Sequence, residues 1–392
     1  MSEQHNSPAS QSEATRLITS TAELNALCEQ LASAKILAVD TEFVRDKTYY
    51  PKLCLVQVAA NDIVACIDPL SIKDLSPLKN LLLDTGITKV FHAARQDMEI
   101  LYYTFETLPS PVFDTQIAAT LLGLGEQIGY ANLISHFLKT NLPKGHARAD
   151  WEQRPLTSDQ LEYAANDVRY LIEAYPLMVD KLSASGRLGW LADDFAELSN
   201  EALYRPSQDE LWQRISGQQK LRGVQLAVLQ QIAAWREQTA MRLDKPRKWI
   251  LPDDMLVTIA MQMPSQTKQL HRIRGLNSNI IERNGNEIIQ VIENARSLPE
   301  SQWPKAKARR KLSKQQEALI DSLMSIVKIQ AAKHEISTGA ITGKSDLEKL
   351  VNGDHDILLL HGWRAGVAGQ QVLDFLDGKT KLQFKNNKLL LE

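Results

Sequence analysis

The pattern of apolar and polar positions changes character twice along the 392-residue chain. Its first continuous apolar run, Ile36-Leu-Ala-Val39, is short and strand-forming, the pattern of a buried strand, and it stops abruptly at Asp40-Thr-Glu42. Residues 53–59 and 63–67 are two further runs separated by Asn61-Asp62, which reads as a hairpin paired with the first strand. Residues 87–91 form another buried strand that runs directly into 92–101, where the spacing becomes helical, so Asp97 falls near the first turn of a helix. Helical spacing also covers a segment capped at Ser20 and reaching Leu31, then 75–83, 112–122 and 130–139. Thr157-Ser-Asp-Gln160 is a capping sequence ahead of a long helix from Leu161. Strands first, then strands alternating with helices, predict an α/β domain with a mixed sheet.

The second change comes at Tyr204-Arg-Pro206, where a domain boundary is expected. Beyond it nearly everything has helical spacing with short connections, including 225–242, 252–261, 286–295, 315–333 and 345–350. This is the composition of two small helical modules. The expected order is a disordered tail over 1–14, a catalytic domain over 15–203 and a connecting segment over 204–220. A helical domain over 221–300, a connector over 301–312 and a second helical domain over 313–392 complete it.

Composition narrows the picture. The 44% hydrophobic content suits a water-facing globular protein, and no run approaches a membrane span. Residues 1–15 carry no basic-then-apolar signal pattern, and Cys28, Cys54 and Cys66 lack metal or disulfide spacing, so a reducing cytoplasm is expected. Charge is divided unevenly: residues 1–205 hold 17 Lys and Arg against 27 Asp and Glu, whereas 206–392 hold 28 against 20. An acidic half suited to cations is joined to a basic half suited to polyanions, although a solvated basic surface gives the same count.

On a strand, side chains two apart share a face, so Asp40 and Glu42 project together. Paired carboxylates repel unless a cation sits between them, and an oxygen-ligand divalent metal fits that role. Asp97 and Asp167 are the other acidic residues with unusual placement, and Tyr163 lies one helical turn before Asp167 on the same face. Two divalent cations would neutralise the four carboxylates, and metals about 4 Å apart clamp the attacking and leaving oxygens of a phosphoryl transfer. Mg²⁺ or Mn²⁺ suits an all-oxygen set, and no His/Cys cluster competes for zinc. With an ordinary pKa of about 10, Tyr163 is suited to orienting a water beside such a site.

At these residues the chain resembles the DnaQ-like 3′–5′ exonucleases, whose motifs hold Asp-X-Glu, then Asp, then Tyr-X-X-X-Asp. More narrowly it resembles the ribonuclease D family. The matching stretches are Val39-Asp-Thr-Glu-Phe-Val-Arg45, Thr48-Tyr-Tyr-Pro51, Phe91-His-Ala-Ala-Arg-Gln-Asp97 and Val112-Phe-Asp-Thr-Gln-Ile-Ala118. The match continues through Asp150-Trp151, Arg154-Pro-Leu156 and Tyr163-Ala-Ala-Asn-Asp-Val-Arg-Tyr-Leu171. Residues from Leu221, notably Gln225-Leu-Ala-Val-Leu229 and Trp235-Arg-Glu237, are similar to the helicase-and-RNase-D C-terminal (HRDC) domain. The resemblance implies a ribonuclease H-like mixed sheet followed by two all-α HRDC-like domains. It also implies a tyrosine-subclass exoribonuclease that releases nucleoside 5′-monophosphates from RNA 3′ ends. Asp40, Glu42, Asp97 and Asp167 would hold the metals and Tyr163 would position the water. RNA, especially tRNA precursors and other small structured RNAs, is the implied partner, with no membrane and no obligate protein partner. One departure is Ala149 ahead of Asp150-Trp151, where a hydroxyl residue is expected; it lies outside the ligand set.

Other residues have plainer readings beside functional ones. Asp114 is expected as a helix N-cap or a structural hydrogen bond rather than a ligand. Phe43 and His92 are candidate nucleotide contacts, by stacking on the terminal base or by hydrogen bonding, with core roles as the alternatives. Lys144, Arg148 and the basic connector from Lys305 to Lys311 are candidate phosphate contacts or solvated charges. Gly343-Lys-Ser345 is no phosphate loop, because the first glycine of that motif would fall at Thr338. A DNA exonuclease with the same site and a non-catalytic RNA-binding scaffold are the rival functions.

Overall fold

In the computed structural model, the described residues are 15–142, 145, 149–205, 207–305 and 312–392. The expected tail over 1–14, Lys144, Arg148, Pro206 and the basic connector beyond Lys305 lie outside them. The chain opens with a short strand, β1 (Arg16–Ile18), and helix α1 (Thr21–Leu31). The N-terminus of α1 is closed by a capping box in which Ser20 and Glu23 bond each other's backbone. Next come β2 (Ile36–Val44), β3 (Lys52–Ala60), β4 (Ile63–Ile67), α2 (Ser76–Leu83), β5 (Thr88–Phe91) and α3 (Arg95–Phe105). They are followed by β6 (Val112–Asp114), α4 (Thr115–Thr120), α5 (Tyr130–Leu138), α6 (Ser158–Ala184) and α7 (Ala192–Leu198).

Six strands form one sheet in the order β1-β4-β3-β2-β5-β6. β3 and β4 are antiparallel through the Asn61-Asp62 turn, where Asn61 takes the left-handed conformation at φ 52°. β2, β5 and β6 run parallel, so the sheet is mixed as expected. Strand β2 is internal to the sheet, between β3 and β5. Leu37, Ala38 and Val39 are fully buried, and helices cover the sheet with a core that includes Val90, Phe113, Leu133, Val168 and Leu171.

Residues 112–114, expected to be helical, form β6 instead. Its register, Val90 opposite Phe113 and Phe91 opposite Asp114, extends the parallel sheet, and the helix begins only at Thr115. Tertiary pairing outweighs local periodicity in a segment this short. β1 also escaped the apolar pattern; it is three residues long and is held by parallel pairing to β4.

Residues 44–52 and 200–310 make a separate compact unit. It contains α8 (Val224–Leu243), α9 (Arg247–Ile250), α10 (Asp253–Gln262), α11 (Thr267–Leu270) and α12 (Ser278–Arg296). Leu226, Leu229, Ile232, Leu256, Ile259, Ile288 and Ile292 form its core. Within it, buried Glu237 accepts from both Arg247 and the Tyr49 hydroxyl, and Asp244 Oδ1 accepts from the Tyr49 and Tyr50 amides at 3.0 Å each. The segment 44–52 is therefore an ordered part of this unit.

The last part of the chain, α13 (Lys314–Lys333), α14 (Thr338–Ile341), α15 (Lys344–Val351), α16 (Gly362–Arg364) and α17 (Gln370–Leu376), belongs to the same unit as the sheet. Arg364 forks onto both Asp194 carboxylate oxygens at 2.8 and 3.0 Å, and Trp363 stacks on Trp190 with centroids 4.7 Å apart. The chain closes on an antiparallel hairpin, β7 (Leu382–Lys385) and β8 (Lys388–Leu391), where only helix was expected. Asn386 and Asn387, both at positive φ, make its two-residue turn. No helix among the described residues is long and apolar enough to cross a membrane.

Candidate active site

Asp40 lies at the middle of β2 and Glu42 two residues on, both half-buried, and the strand continues past the end of the apolar run to Val44. Asp167 reaches the same place from α6, one turn after Tyr163. One carboxylate oxygen from each of Asp40, Glu42 and Asp167 lies within 4.8 Å of the others. α6 is set for this by its capping box: the Thr157 hydroxyl accepts from the Gln160 amide at 3.2 Å, while Gln160 Oε1 accepts from the Thr157 amide at 2.9 Å.

Asp97 comes from the first turn of α3 and is 7% exposed. Its Oδ1 accepts from the Thr41 amide at 3.1 Å and from the Thr41 hydroxyl at 2.6 Å, between the two β2 carboxylates. Asp97 therefore adjoins the trio and is anchored to the same strand, although it is not one of the three residues with mutually close oxygens.

None of the four carboxylates has a Lys or Arg partner among the described residues. Burial raises each, Asp40 to about 6, and the charge of Asp40 raises the other three further: Asp167 to about 8, Glu42 to about 9 and Asp97 well above the usual carboxylate range. Neighbouring carboxylates with no compensating cation are what an oxygen-ligand divalent site requires, and Mg²⁺ or Mn²⁺ fits this donor set. Burial, then Asp167, Glu42 and Asp40, raise the Tyr163 phenol, so its hydroxyl stays protonated at neutral pH.

The corner that presents Asp97 depends on a residue outside the ligand set. Asp114 is 3% exposed and caps α4, accepting from the Gln116 amide at 2.7 Å and the Ile117 amide at 3.3 Å. Its oxygens also accept from the Ala93 and Ala94 amides at 3.1 and 2.8 Å, at the β5–α3 corner where Ala93 takes φ 60°. The N-cap expectation holds, and the second pair of bonds adds a role that spacing did not reveal. Asp114→Ala would strand four buried or half-buried amides. A loss of about 2–3 kcal/mol in urea unfolding, above the roughly 1 kcal/mol of an ordinary cap, is expected.

The two candidate nucleotide contacts differ in surroundings. Phe43 is half-buried beside Glu42 at the end of β2. His92 has Nδ1 2.9 Å from Thr115 Oγ1 and Nε2 3.1 Å from the Ile128 carbonyl, and its ring meets Tyr130 edge-on. Both its nitrogens serve the protein, which leaves only the ring face for a ligand.

A family model described as a 3′–5′ exonuclease matches residues 15–183, and an HRDC domain model matches 225–292. A ribonuclease D of Gluconacetobacter diazotrophicus is 39% identical over 93% of this chain and 94% of its own length. The chain belongs to the ribonuclease D family. A second ribonuclease D, from Granulibacter bethesdensis, is 36% identical over 96% of both chains. The crystal structure of Escherichia coli ribonuclease D, described as an exoribonuclease involved in structured RNA processing, superposes with a TM-score of 0.84. It shares 31% identity and covers 93% of this chain and 99% of its own. In this ribonuclease D family member the mixed-sheet exonuclease domain is thus followed by an HRDC domain.

Proposed function

We propose that this chain removes nucleotides one at a time from RNA 3′ ends, using Asp40, Glu42, Asp97, Asp167 and Tyr163, and that it matures the 3′ ends of tRNA precursors in the cytoplasm. The observation that carries the reading is the convergence of Asp40, Glu42 and Asp167 within 4.8 Å, near Asp97, with no Lys or Arg partner among the described residues. Divalent cations, Mg²⁺ or Mn²⁺ here, supply charge stabilisation to the phosphoryl group and its leaving oxygen when bound. Asp40, Glu42, Asp97 and Asp167 would hold them. Tyr163, with a neutral hydroxyl, donates one hydrogen bond and accepts another, which fixes the direction of a water toward the terminal phosphodiester. The long helix α6 sets the spacing between Tyr163 and Asp167, so water and phosphate are placed by one rigid element.

The boundaries 15–203, 221–300 and 313–392 are proposed as exonuclease, HRDC and second HRDC-like domains. The last rests on a compact core that includes Ile320, Leu323, Val327, Leu347 and Leu359. Residues 200–310 hold 18 Lys and Arg against 11 Asp and Glu, an excess suited to RNA backbone rather than to base reading.

The test follows a 5′-labelled, 3′-extended tRNA precursor beside a matched DNA strand, with Mg²⁺, Mn²⁺ or chelator. A ladder that shortens from the 3′ end, needs the cation and prefers RNA supports the proposal. Equal hydrolysis of DNA would favour the deoxyribonuclease alternative, and no hydrolysis with any cation would leave a binding scaffold. Tyr163→Phe, which removes only the hydroxyl, is expected to lower kcat roughly a hundredfold while RNA binding measured with chelator is unchanged.

A further inference from the structure

Tyr163 is held in place at its backbone by α6, yet its ring needs a wall to fix its plane. That wall is Trp151, on the irregular segment between α5 and α6. Trp151 is 3% exposed, and its ring centroid lies 6.3 Å from that of Tyr163 with planes inclined by 32°. A loop residue keeps such a position only if the loop is anchored. Arg154 supplies the anchor. Its Nε and Nη2 each reach an Asp68 carboxylate oxygen at 2.8 Å, and Nη2 also donates to the Cys54 carbonyl at 2.6 Å. Its Nη1 donates to the Trp151 and Gln153 carbonyls at 2.8 Å each. One guanidinium therefore ties β3 and the residue after β4 to the loop that carries Trp151.

Filling space does not account for the tryptophan. Its Nε1–H is buried without an acceptor among the described residues, a desolvation cost of about 1–3 kcal/mol that phenylalanine would not bear. What the indole adds over a smaller ring is breadth against Tyr163. We infer that Trp151, clamped by Arg154 on Asp68, is a positioning residue that sets the Tyr163 ring for the attacking water. The inference rests on the proposed role of Tyr163. It adds Trp151, Arg154 and Asp68, none of which is in the ligand set.

The test is a double-mutant cycle on the full chain with a short RNA. Trp151→Leu, Trp151→Phe and Arg154→Lys are each made alone and together with Tyr163→Phe. Melting temperature confirms that each is folded at the assay temperature, and Trp151→Phe serves if Trp151→Leu is not. With Tyr163 present, kcat is expected to fall roughly 10- to 100-fold for Trp151→Leu and less for Trp151→Phe, with KM changed by no more than about twofold. In the Tyr163→Phe background the same substitutions should cost almost nothing further, because the positioned hydroxyl is already gone. Equal losses in both backgrounds, or undiminished kcat in a folded variant, would overturn the positioning role alone. If Tyr163→Phe leaves kcat untouched, the role of Tyr163 falls and this inference falls with it. No hydrolysis by the unaltered chain would overturn the enzyme reading itself.

Discussion

Asp40→Asn is expected to reduce RNA hydrolysis by roughly three orders of magnitude or more while leaving the fold intact. The substitution preserves size and removes one negative charge from the group of Asp40, Glu42 and Asp167, whose oxygens lie within 4.8 Å. An amide oxygen is a poorer ligand for a hard divalent cation, so cation affinity and activity should fall together. Calorimetric titration with Mn²⁺ separates this from a folding defect: the variant should melt normally in chelator and bind the cation more weakly. Burial raises the Asp40 carboxyl to about 6, so neutralising it relieves a strained charge, and the variant without cation should melt no lower than the parent. Hydrolysis by Asp40→Asn at the parent rate would remove Asp40 from the site.

How far this arrangement was legible in the sequence differs residue by residue. Period-two alternation placed Asp40 with Glu42, and the four-residue step placed Tyr163 with Asp167. Neither period says that α6 returns to β2; a resemblance to a known family supplied that, and the 4.8 Å grouping agrees with it. Val112-Phe113 reads equally well as helix or strand, and only pairing with Val90 and Phe91 decides for strand. The final hairpin did leave a signal, because Asn386-Asn387 can take two consecutive positive φ values, but it followed a long helical stretch and its strands are four residues each. The second role of Asp114 and the five-bond anchoring by Arg154 left no local signal. They are made by one side chain on backbone groups remote in sequence, Ala93 and Ala94 for one and Cys54 for the other.

The same carboxylates tie stability to pH and to divalent cation. Burial raises Asp40 to about 6, and burial with the charge of Asp40 raises Asp167 and Glu42 to about 8 and 9, above unfolded values of about 4. From pH ~4 upward the folded, cation-free chain therefore binds more protons than the unfolded chain. Stability is fully present below that pH and is lost as pH rises through about 6, 8 and 9. Divalent cations bind the charged carboxylates, so they should release protons and restore the loss, with the largest effect where the loss is largest. At cation concentrations 100 to 1,000 times Kd the gain is about 3–4 kcal/mol. Thermal melts near pH 6 and near pH 8.5, in chelator and in Mg²⁺, check the whole chain of reasoning. In chelator the melting temperature should be lower at the higher pH, and Mg²⁺ should raise it more there than at the lower pH. Glu42→Gln removes the carboxyl raised furthest of the three with stated values, so it should stabilise the chelated protein at the higher pH and shrink the response to Mg²⁺. Stability gained on raising pH in chelator, or a melting temperature indifferent to Mg²⁺ near pH 8.5, would mean that these carboxylates do not share a buried cation site.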